Sequence, residues 1–443
     1  GTWTGTMNLT EPQAGSDLAA VRSRAVPQGD GTYRLYGQKI FITFGEHDYT
    51  DNIIHLVLAR TPDAPQGVKG ISLFVVPKVL VNDDGSLGRR NDVACVSLEH
   101  KLGIHASPTA VLAYGDQGGA VGYLVGEENR GLEYMFVMMN LARFSVGLEG
   151  VGISERAYQR AVAYARDRVQ GKAVGLDKAA KAGPIIEHPD VRRMLMTMRA
   201  HTEALRAVAY VTASAMDHAR RHADPQARKA HQAFVDLMIP IVKGHSTETG
   251  QEVASLGVQV HGGMGYVEET GVAQFYRDAR IASIYEGTNG IQAIDLVGRK
   301  VLRDGGATVS AFVTDMRSVD APLANLGDEF AVVRKALARG LDELVQCSTY
   351  LLTAERKDPE LAGAAAFDYM MLLGTVIGGW QLARGALAAL DELNAGAEDK
   401  PFLQAQVVMA KFYAEHVLPR CTGYAAAVQA GSASKMALAA EHF

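Results

Sequence analysis

One stretch decides how this chain is interpreted: Ala282-Ser283-Ile284-Tyr285-Glu286-Gly287-Thr288-Asn289-Gly290-Ile291-Gln292. A single carboxylate, Glu286, stands between an apolar strip and a Gly-Thr-Asn-Gly turn, after which apolar residues resume at helical spacing. A glutamate at such a joint is held by rigid elements and faces a gap lined by small side chains. A general base needs this setting if a substrate carbon is to come within its reach. The alternative for an isolated segment of this kind is a solvated or helix-capping glutamate.

Composition excludes several classes of protein. The chain has 443 residues, 48% of them hydrophobic, which predicts two or three domains with large cores. With a net charge of −5, the chain lacks the excess of lysine and arginine that is typical of nucleic-acid-binding proteins. Cys95, Cys347 and Cys421 are far apart and lack metal-ligand spacing, which predicts no metal site and a reduced, cytoplasmic protein. The most apolar run, Tyr369–Leu382, is shorter than the ~20 residues of a membrane span and predicts a core helix.

Up to about Gly126, short β-branched or alternating runs are separated by turn residues, which predicts strands. A strand is expected within Gly1–Thr10, and the other runs are Tyr33–Tyr36, Lys39–Thr43, Ile53–Ala59, Ile71–Val76, Val93–Leu98 and Thr109–Tyr114. We therefore predict that residues 1–126 form a small antiparallel barrel or sandwich.

From Asn129 onwards, apolar residues recur at helical spacing. We predict a helical bundle over 127–302 that carries Glu286, with helices near 189–222, 225–260, 272–284 and 289–302. Residues 303–443 are rich in Ala and Leu and predict three further helices, 322–355, 359–395 and 401–429, as a separate C-terminal domain. The predicted fold class is α+β.

Two distant segments give Glu286 a context. The first is Met7-Asn8-Leu9-Thr10-Glu11-Pro12-Gln13-Ala14-Gly15-Ser16-Asp17, and the second is Val258-Gln259-Val260-His261-Gly262-Gly263-Met264-Gly265-Tyr266. Together with Glu286-Gly287-Thr288, and in this order, they resemble the acyl-CoA dehydrogenase family, flavoenzymes that desaturate acyl-CoA thioesters. The resemblance extends from about Gly1 to Lys300. With its helical extension over residues 303–443, the chain resembles one branch of the family, which includes broad-range fatty acyl-CoA dehydrogenases and methylthiopropanoyl-CoA dehydrogenases.

The resemblance implies a β-domain followed by a helical bundle. The family also carries a helical domain before the β-domain, which helps to wall the acyl-chain tunnel. The chain starts at Gly1 rather than at an initiator methionine, so we expect either a fragment of a longer protein or the loss of that domain.

The family's cofactor is FAD, since no side chain removes a hydride from an unactivated carbon. The turn Ala14–Asp17 is built of small residues whose N–H groups suit an anionic group. By resemblance, five residues of this region contact the flavin, and Ser16 also reaches the CoA side: Met7, Leu9, Thr10, Gly15 and Ser16.

Strand alternation places Phe41 and Thr43 on one face and Ile42 on the other, so an aromatic ring lies beside a hydroxyl donor. This pair suits a flavin ring, although it also suits an ordinary strand. The family usually has Trp where Phe41 stands, and Phe keeps the ring but lacks the indole donor.

Other contacts implied by the resemblance cross a subunit interface, so a homodimer or a dimer of dimers is expected. Arg168 would grip a flavin pyrophosphate with its forked guanidinium, although Gln170 replaces the family's usual Phe beside it. Gln259, Gly262 and Gly263 would approach the partner's adenine. After the glutamate, Thr288, Asn289 and Gly290 are further candidates for cofactor contacts.

The resemblance also implies a mechanism. Glu286 takes the α-proton of an acyl-CoA while the β-hydride passes to FAD, and the electrons then pass to an electron-transferring flavoprotein. Arg143 lies in an apolar helical stripe, which indicates either a buried ion pair or, by resemblance, a residue that organises the substrate site with Ser16 and Gly287. Burial of Glu286 should raise its pKa.

Three alternatives stay open. An acyl-CoA oxidase uses the same base and flavin but passes electrons to oxygen. A flavin-dependent monooxygenase on this scaffold typically lacks the glutamate. A non-catalytic CoA-binding or helical scaffold protein would bind no flavin.

Overall fold

The computed structural model describes residues 1–175 and 181–443, and these form two compact units, Gly1–Leu141 and Ala142–Phe443. The first unit consists mainly of strands and the second mainly of helices, so the predicted α+β class is confirmed. The change from strands to helices lies between the last strand, which ends at Leu124, and a helix that begins at Gly131.

The first unit contains a mixed sheet. Its strands are β1 (Thr4–Asn8), β2 (Arg24–Pro27), β3 (Tyr33–Thr43), β4 (Ile53–Ala59), β5 (Ser72–Pro77), β6 (Val79–Val81), β7 (Leu87–Arg90), β8 (Val93–Leu98), β9 (Thr109–Tyr114) and β10 (Ala120–Leu124). Eight strands form one sheet in the order β1-β4-β5-β10-β3-β9-β8, with β2 beside β3, and β6 pairs with β7. Pairing is antiparallel except between β1 and β4, which are parallel. The expectation of a purely antiparallel sheet was therefore wrong at this edge.

The sheet buries an apolar face that includes Leu35, Val57, Phe74 and Leu112. Strand β4, with the sequence IIHLVLA, is buried along most of its length, because β-branched and leucine side chains pack well on both faces of a central strand. A second cluster contains Ala14 and Met135, with Met7 and Leu9 packed against it. This cluster anchors the loop that follows β1.

The helices are α1 (Gly131–Asp167), α2 (Pro189–Arg221), α3 (Pro225–His261), α4 (Val272–Ala279), α5 (Asn289–Asp295), α6 (Ala307–Arg317), α7 (Asp320–Asn325), α8 (Ala331–Ala354), α9 (Leu361–Asn394), α10 (Lys400–His416) and α11 (Arg420–Gln429). Their ends follow local signals. Proline occupies the first turn of α2 and α3, and the Asp224 side chain accepts a hydrogen bond from the Gln226 N–H to cap α3.

The C-terminal helices differ from the predicted three. The span 322–355 contains the end of α7 and then α8, and the span 401–429 is interrupted at Val417–Pro419, where Pro419 cannot continue a helix. One hydrophobic core includes Phe144, Val297, Leu344 and Trp380, so the core does not divide at residue 302. The division into 1–126, 127–302 and 303–443 remains a prediction.

Helices α1 and α9 are long and apolar enough to cross a membrane by length and composition alone. In α9, 72% of the most apolar window is buried inside the unit, and Tyr369 and Leu382 are both buried. The predicted core helix at Tyr369–Leu382 is therefore confirmed.

Candidate active site

The backbone at Glu286 is strained. A 3-10 turn ends at Ser283, and α5 begins at Asn289 with the Thr288 side chain accepting a hydrogen bond from the Ile291 N–H. Between them, Glu286 has a φ of 56° and Gly287 a φ of 82°. The left-handed region costs a side-chain-bearing residue free energy, and such residues persist where the surroundings hold them, often at functional sites.

Hydrogen bonds hold this turn from outside it. The Gln292 side-chain amide donates to the Glu286 carbonyl at 3.2 Å. The Lys243 ammonium donates to the Gly287 carbonyl at 2.7 Å and to Asn289 Oδ1 at 2.8 Å. The φ of Gly287 favours glycine, and a Cβ there would lie 2.6 Å from Gln292 Nε2, so the Gln292 side chain would have to shift.

Charged groups around Glu286 oppose one another. Burial raises the pKa of its carboxyl group, Arg143 and Lys243 lower that pKa, and Glu149 raises it. No hydrogen bond to the Glu286 carboxylate occurs within residues 1–175 and 181–443. Glu286 is thus a half-buried carboxyl group, biased towards proton uptake by burial, whose oxygens face no donor of the described chain.

The structure brings Arg143 into this group of charges. Burial lowers the pKa of its guanidinium, and Asp295 and Glu286 both oppose that effect. Glu149, also on α1, accepts a hydrogen bond from the Tyr285 hydroxyl, and burial raises the pKa of Glu149. Arg143 therefore lies within electrostatic reach of two carboxylates, one of which is Glu286.

Asn289 takes part in the support of the turn. It is 3% exposed, and its Nδ2 donates to Glu248 Oε1 at 2.8 Å and to Thr247 Oγ1 at 2.9 Å. Its side chain is engaged inside the unit, so only its backbone is left for a ligand. Thr288 uses its hydroxyl oxygen as the helix cap, and Gly290 is exposed in the first turn of α5.

In the first unit, the loop after β1 surrounds a buried ion pair. The Lys39 ammonium donates to Glu11 Oε1 at 2.8 Å and to the Leu9 carbonyl at 3.0 Å. Thr10 O accepts from the Ile40 N–H at 3.0 Å. Burial would raise the pKa of Glu11, but the charge and hydrogen bond of Lys39, together with Ser23 and Arg22, lower it to about 2.

The residues predicted to contact a ligand at the end of β1 and in this loop differ in exposure. Met7, Leu9 and Thr10 are half-buried, whereas Gly15 and Ser16 are exposed. A Cβ on Gly15 would enter open space, and its φ lies outside the left-handed region. The internal packing of the unit therefore does not require glycine at position 15. The open space beside it leaves room for a phosphate group to approach the backbone closely.

Strand β3 carries a bulge at Phe41. The register with β9 shifts between Lys39 and Ile42, and Phe41 has a φ of 60°. The Phe41 ring is 60% exposed, Thr43 is exposed, and Ile42 is buried. The exposed positions match the predicted ones, but Lys39 and Ile42 are both buried at an odd spacing, which simple alternation does not allow.

The residues predicted to reach a partner subunit are exposed in the second unit. Arg168 is exposed, and its guanidinium donates to Gln170 Oε1 at 3.2 Å. Gln259, Gly262 and Gly263 are also exposed, and a Cβ on either glycine would enter open space. Next to them, His261 is buried, stacks on Tyr164 at 4.3 Å and hydrogen-bonds the Gly257 carbonyl through Nδ1.

In each unit, taken separately, the residues predicted to contact FAD are of a kind and exposure that suit such contacts. Phe41 presents an exposed ring on strained backbone, and Gly15 and Gly262 leave room that a Cβ would fill. Arg168 offers a charged fork at the surface. In the described part of the chain, no cluster of three or more histidine, cysteine or carboxylate side chains is suited to a metal ion.

Sequence reasoning missed Lys243, Glu149 and Gln292. A signal for Lys243 was present, because this lysine follows the apolar run Leu237–Val242, where an isolated cation is costly. The same argument applies to Arg143. The partners of Glu149 and Gln292 depend on how helices pack, which no local pattern shows.

Known protein families match nearly the whole length of the chain. Family models match residues 6–116 (acyl-CoA dehydrogenase, middle domain), 129–302 (acyl-CoA dehydrogenase, C-terminal domain) and 307–439 (acetyl-CoA dehydrogenase C-terminal like). The chain is 55% identical to 3-methylmercaptopropionyl-CoA dehydrogenase of Ruegeria pomeroyi over 95% of this chain and 71% of that protein.

Two further matches agree. The broad-specificity linear acyl-CoA dehydrogenase FadE5 of Mycobacterium tuberculosis is 39% identical over 95% of this chain and 71% of its own length. A crystal structure of an acyl-CoA dehydrogenase of Bacillus anthracis complexed with FAD has a TM-score of 0.74 at 21% identity, covering 96% of this chain and 68% of that chain, and it supports the fold alone. The chain thus spans about seven tenths of these curated relatives.

Proposed function

The chain belongs to the acyl-CoA dehydrogenase family, and from that premise we propose that it oxidises the Cα–Cβ bond of an acyl-CoA thioester to the trans-2-enoyl thioester, with Glu286 as the base. One observation carries this assignment. Glu286 stands on a strained turn held by Lys243 and Gln292, and its carboxylate accepts no hydrogen bond from the described residues. A helix-capping glutamate would accept hydrogen bonds at the start of α5, and there the Thr288 hydroxyl oxygen is the cap instead.

The residues around Glu286 suit proton abstraction. The base must be ionised before it acts and must hold a proton afterwards, so its best pKa lies near the working pH. Burial raises the pKa of Glu286 above the ordinary 4.5, and Arg143 and Lys243 limit the rise. The α-proton of a thioester becomes more acidic when donors bind the carbonyl oxygen, and the backbone N–H of Glu286 is the proposed donor from this chain.

FAD, when bound, supplies the acceptor for the β-hydride. We assign its contacts in the first unit to Met7, Leu9, Thr10, Gly15, Ser16, Phe41 and Thr43. In the second unit we assign them to Arg168, Gln259, Gly262, Gly263, Thr288, Asn289 (through its backbone) and Gly290. Ser16, Arg143 and Gly287 are the proposed substrate contacts. A homodimer is proposed because Arg168 and the 259–263 segment are exposed.

Electrons from the reduced cofactor are proposed to pass to an electron-transferring flavoprotein. A cytoplasmic location is proposed from the cysteines Cys95, Cys347 and Cys421, which are all free thiols. The proposed electron acceptor can be tested with the purified enzyme, since oxygen consumption in place of reduction of the flavoprotein would identify the oxidase alternative.

The experiment that tests the base is Glu286→Gln, with anaerobic single-turnover reduction of bound FAD by an acyl-CoA as the readout. Reduction should slow by roughly 10²–10⁴-fold, because the amide keeps the shape of the side chain but accepts protons poorly. FAD content and acyl-CoA binding should stay near wild type, and Glu286→Asp should retain part of the activity.

Glu269→Gln is the matched control, since Glu269 is an exposed carboxylate in the same region. It should reduce at the wild-type rate. A folded Glu286→Gln protein that also reduces at the wild-type rate would remove Glu286 from the mechanism. A purified wild-type protein that holds no flavin would favour the scaffold alternative instead.

A further inference from the structure

Lys243 is a fully buried lysine on α3, placed directly after an apolar run. A buried ammonium is costly unless donors and acceptors are matched around it. Its two hydrogen bonds go to the Gly287 carbonyl at 2.7 Å and to Asn289 Oδ1 at 2.8 Å. Both acceptors belong to the segment that immediately follows Glu286, and both are neutral.

These bonds act on a strained part of the backbone. Glu286 and Gly287 both have positive φ, and the Gly287 carbonyl is the first acceptor after the base. Without the lysine, Gln292 would be the only described side chain bonded to these carbonyls, at the longer distances of 3.2 and 3.4 Å. The turn would then be free to relax towards ordinary backbone angles, and the Glu286 carboxylate would move with it.

The cation also lies within electrostatic reach of Glu286 without bonding to its carboxylate. Burial lowers the pKa of Lys243 to about 8, so the side chain is charged at neutral pH. The charged groups that face it are Glu248 and Glu286, which favour its charge, Arg143, which opposes it, and Glu149, which favours it. Arg143 and Glu149 act on Glu286 from α1, and Lys243 acts from α3.

We propose that Lys243 is a positioning residue for the reaction: it holds the strained turn through Gly287 and Asn289, and its charge favours the ionised form of the Glu286 carboxyl group. This proposal rests on the proposed function, because a positioning residue has meaning only if Glu286 is the base. The two parts of the role are separable, since one depends on hydrogen bonds and the other on charge.

Lys243→Met tests both parts, because methionine fills similar space without charge or donors. We expect kcat to fall about ten- to hundredfold, since a small misplacement of a reacting group has effects of this size. Because the held segment contains the proposed contacts Gly287 and Asn289, kcat is measured at saturating acyl-CoA and expressed per bound FAD. Loss of the cation raises the pKa of Glu286, so the acid limb of the kcat/KM profile should move to higher pH by about one pH unit.

Asn289→Ala removes one acceptor and leaves the cation in place. It should lower kcat without moving the acid limb of the kcat/KM profile. If Lys243→Met does not fold, Asn289→Ala still tests the hydrogen-bonding part of the proposal. Lys229→Met is the control, an exposed lysine on the same helix, and should match wild type in rate and pH profile. A folded Lys243→Met protein with wild-type kcat and an unmoved acid limb would overturn the proposal, as would wild-type kcat in Asn289→Ala.

Failure of the proposed function gives a different result. If Glu286→Gln reduces FAD at the wild-type rate, the base has been misassigned whatever Lys243 does. If Glu286→Gln is inactive and the Lys243 and Asn289 variants are unaffected, the base stands and only the role of the lysine is wrong.

Discussion

Each of the two units places a glutamate near a fully buried lysine, Glu11 with Lys39 in the first and Glu286 with Lys243 in the second. In the first unit the lysine bonds directly to the carboxylate, at 2.8 Å. In the second, the lysine bonds to a backbone carbonyl and an asparagine oxygen beside the glutamate.

The consequences for the two carboxyl groups are opposite. Glu11 also accepts hydrogen bonds from the Arg22 N–H, the Ser23 N–H and the Ser23 hydroxyl, and its pKa falls to about 2. Burial raises the pKa of Glu286, which has charged neighbours but no described donor. The comparison indicates that a lysine bonded directly to a buried carboxylate helps to keep it ionised, whereas a lysine bonded beside the carboxylate lets burial raise its pKa.

The largest expected difference between the two glutamates is in stability. Glu11→Gln leaves the Lys39 cation buried without its counter-ion, which should lower the free energy of unfolding by about 3–5 kcal/mol. Glu286→Gln removes a charge that burial disfavours, so the change should stay within about 1 kcal/mol. Urea unfolding at neutral pH measures both. Equal losses in the two variants would show that the two carboxyl groups are not held differently.

The pH dependence of stability is the second expected difference between Glu11 and Glu286. The folded-state pKa of Glu11 lies below its ordinary 4.5, so the ionised group stabilises the fold above about pH 4.5, and this contribution disappears as the pH falls towards about 2. Glu286 has the opposite sign: its folded-state pKa is raised, so its favourable contribution is present below 4.5 and is lost as the pH rises through the raised value.

Unfolding midpoints measured across the acid range check this. The stability difference between wild type and Glu11→Gln should shrink on acidification. The difference between wild type and Glu286→Gln should move in favour of the variant as the pH rises. A Glu11→Gln difference that stays constant with pH would mean that the pKa of Glu11 is the same in the folded and unfolded states.

The smallest predicted effect compares glycines of the two loops. Gly287→Ala should lower the free energy of unfolding by about 1–2 kcal/mol, because its φ is left-handed. Gly15→Ala should change stability by less than about 0.5 kcal/mol, because its Cβ enters open space. FAD content is the second measurement, and it should fall in Gly15→Ala if phosphate approaches that loop. Full FAD content in Gly15→Ala would remove Gly15 from the proposed contacts.

Local patterns in the sequence were sufficient for much of the fold. The strands at Ile53–Ala59, Val93–Leu98 and Thr109–Tyr114 were predicted with their observed ends, and α2 and α3 to within one residue. Proline and capping residues determine these helix ends, and side-chain alternation determines the strands, within a few residues of chain. The same kind of pattern singled out Glu286, between an apolar strip and a glycine-containing turn.

Tertiary structure alone decided which partners these residues meet. Lys39 and Glu11 are 28 residues apart, and Lys243 and Gly287 are 44 apart, so neither pairing leaves a local signature. The bulge at Phe41 depends on the register with β9, and the core shared by Phe144 and Trp380 depends on helix packing. Backbone periodicity is a property of neighbouring residues, whereas burial, charge and hydrogen-bond partners arise only when distant segments meet. The sequence alone therefore determined where the candidate base stands along the chain, and the fold decided what raises its pKa.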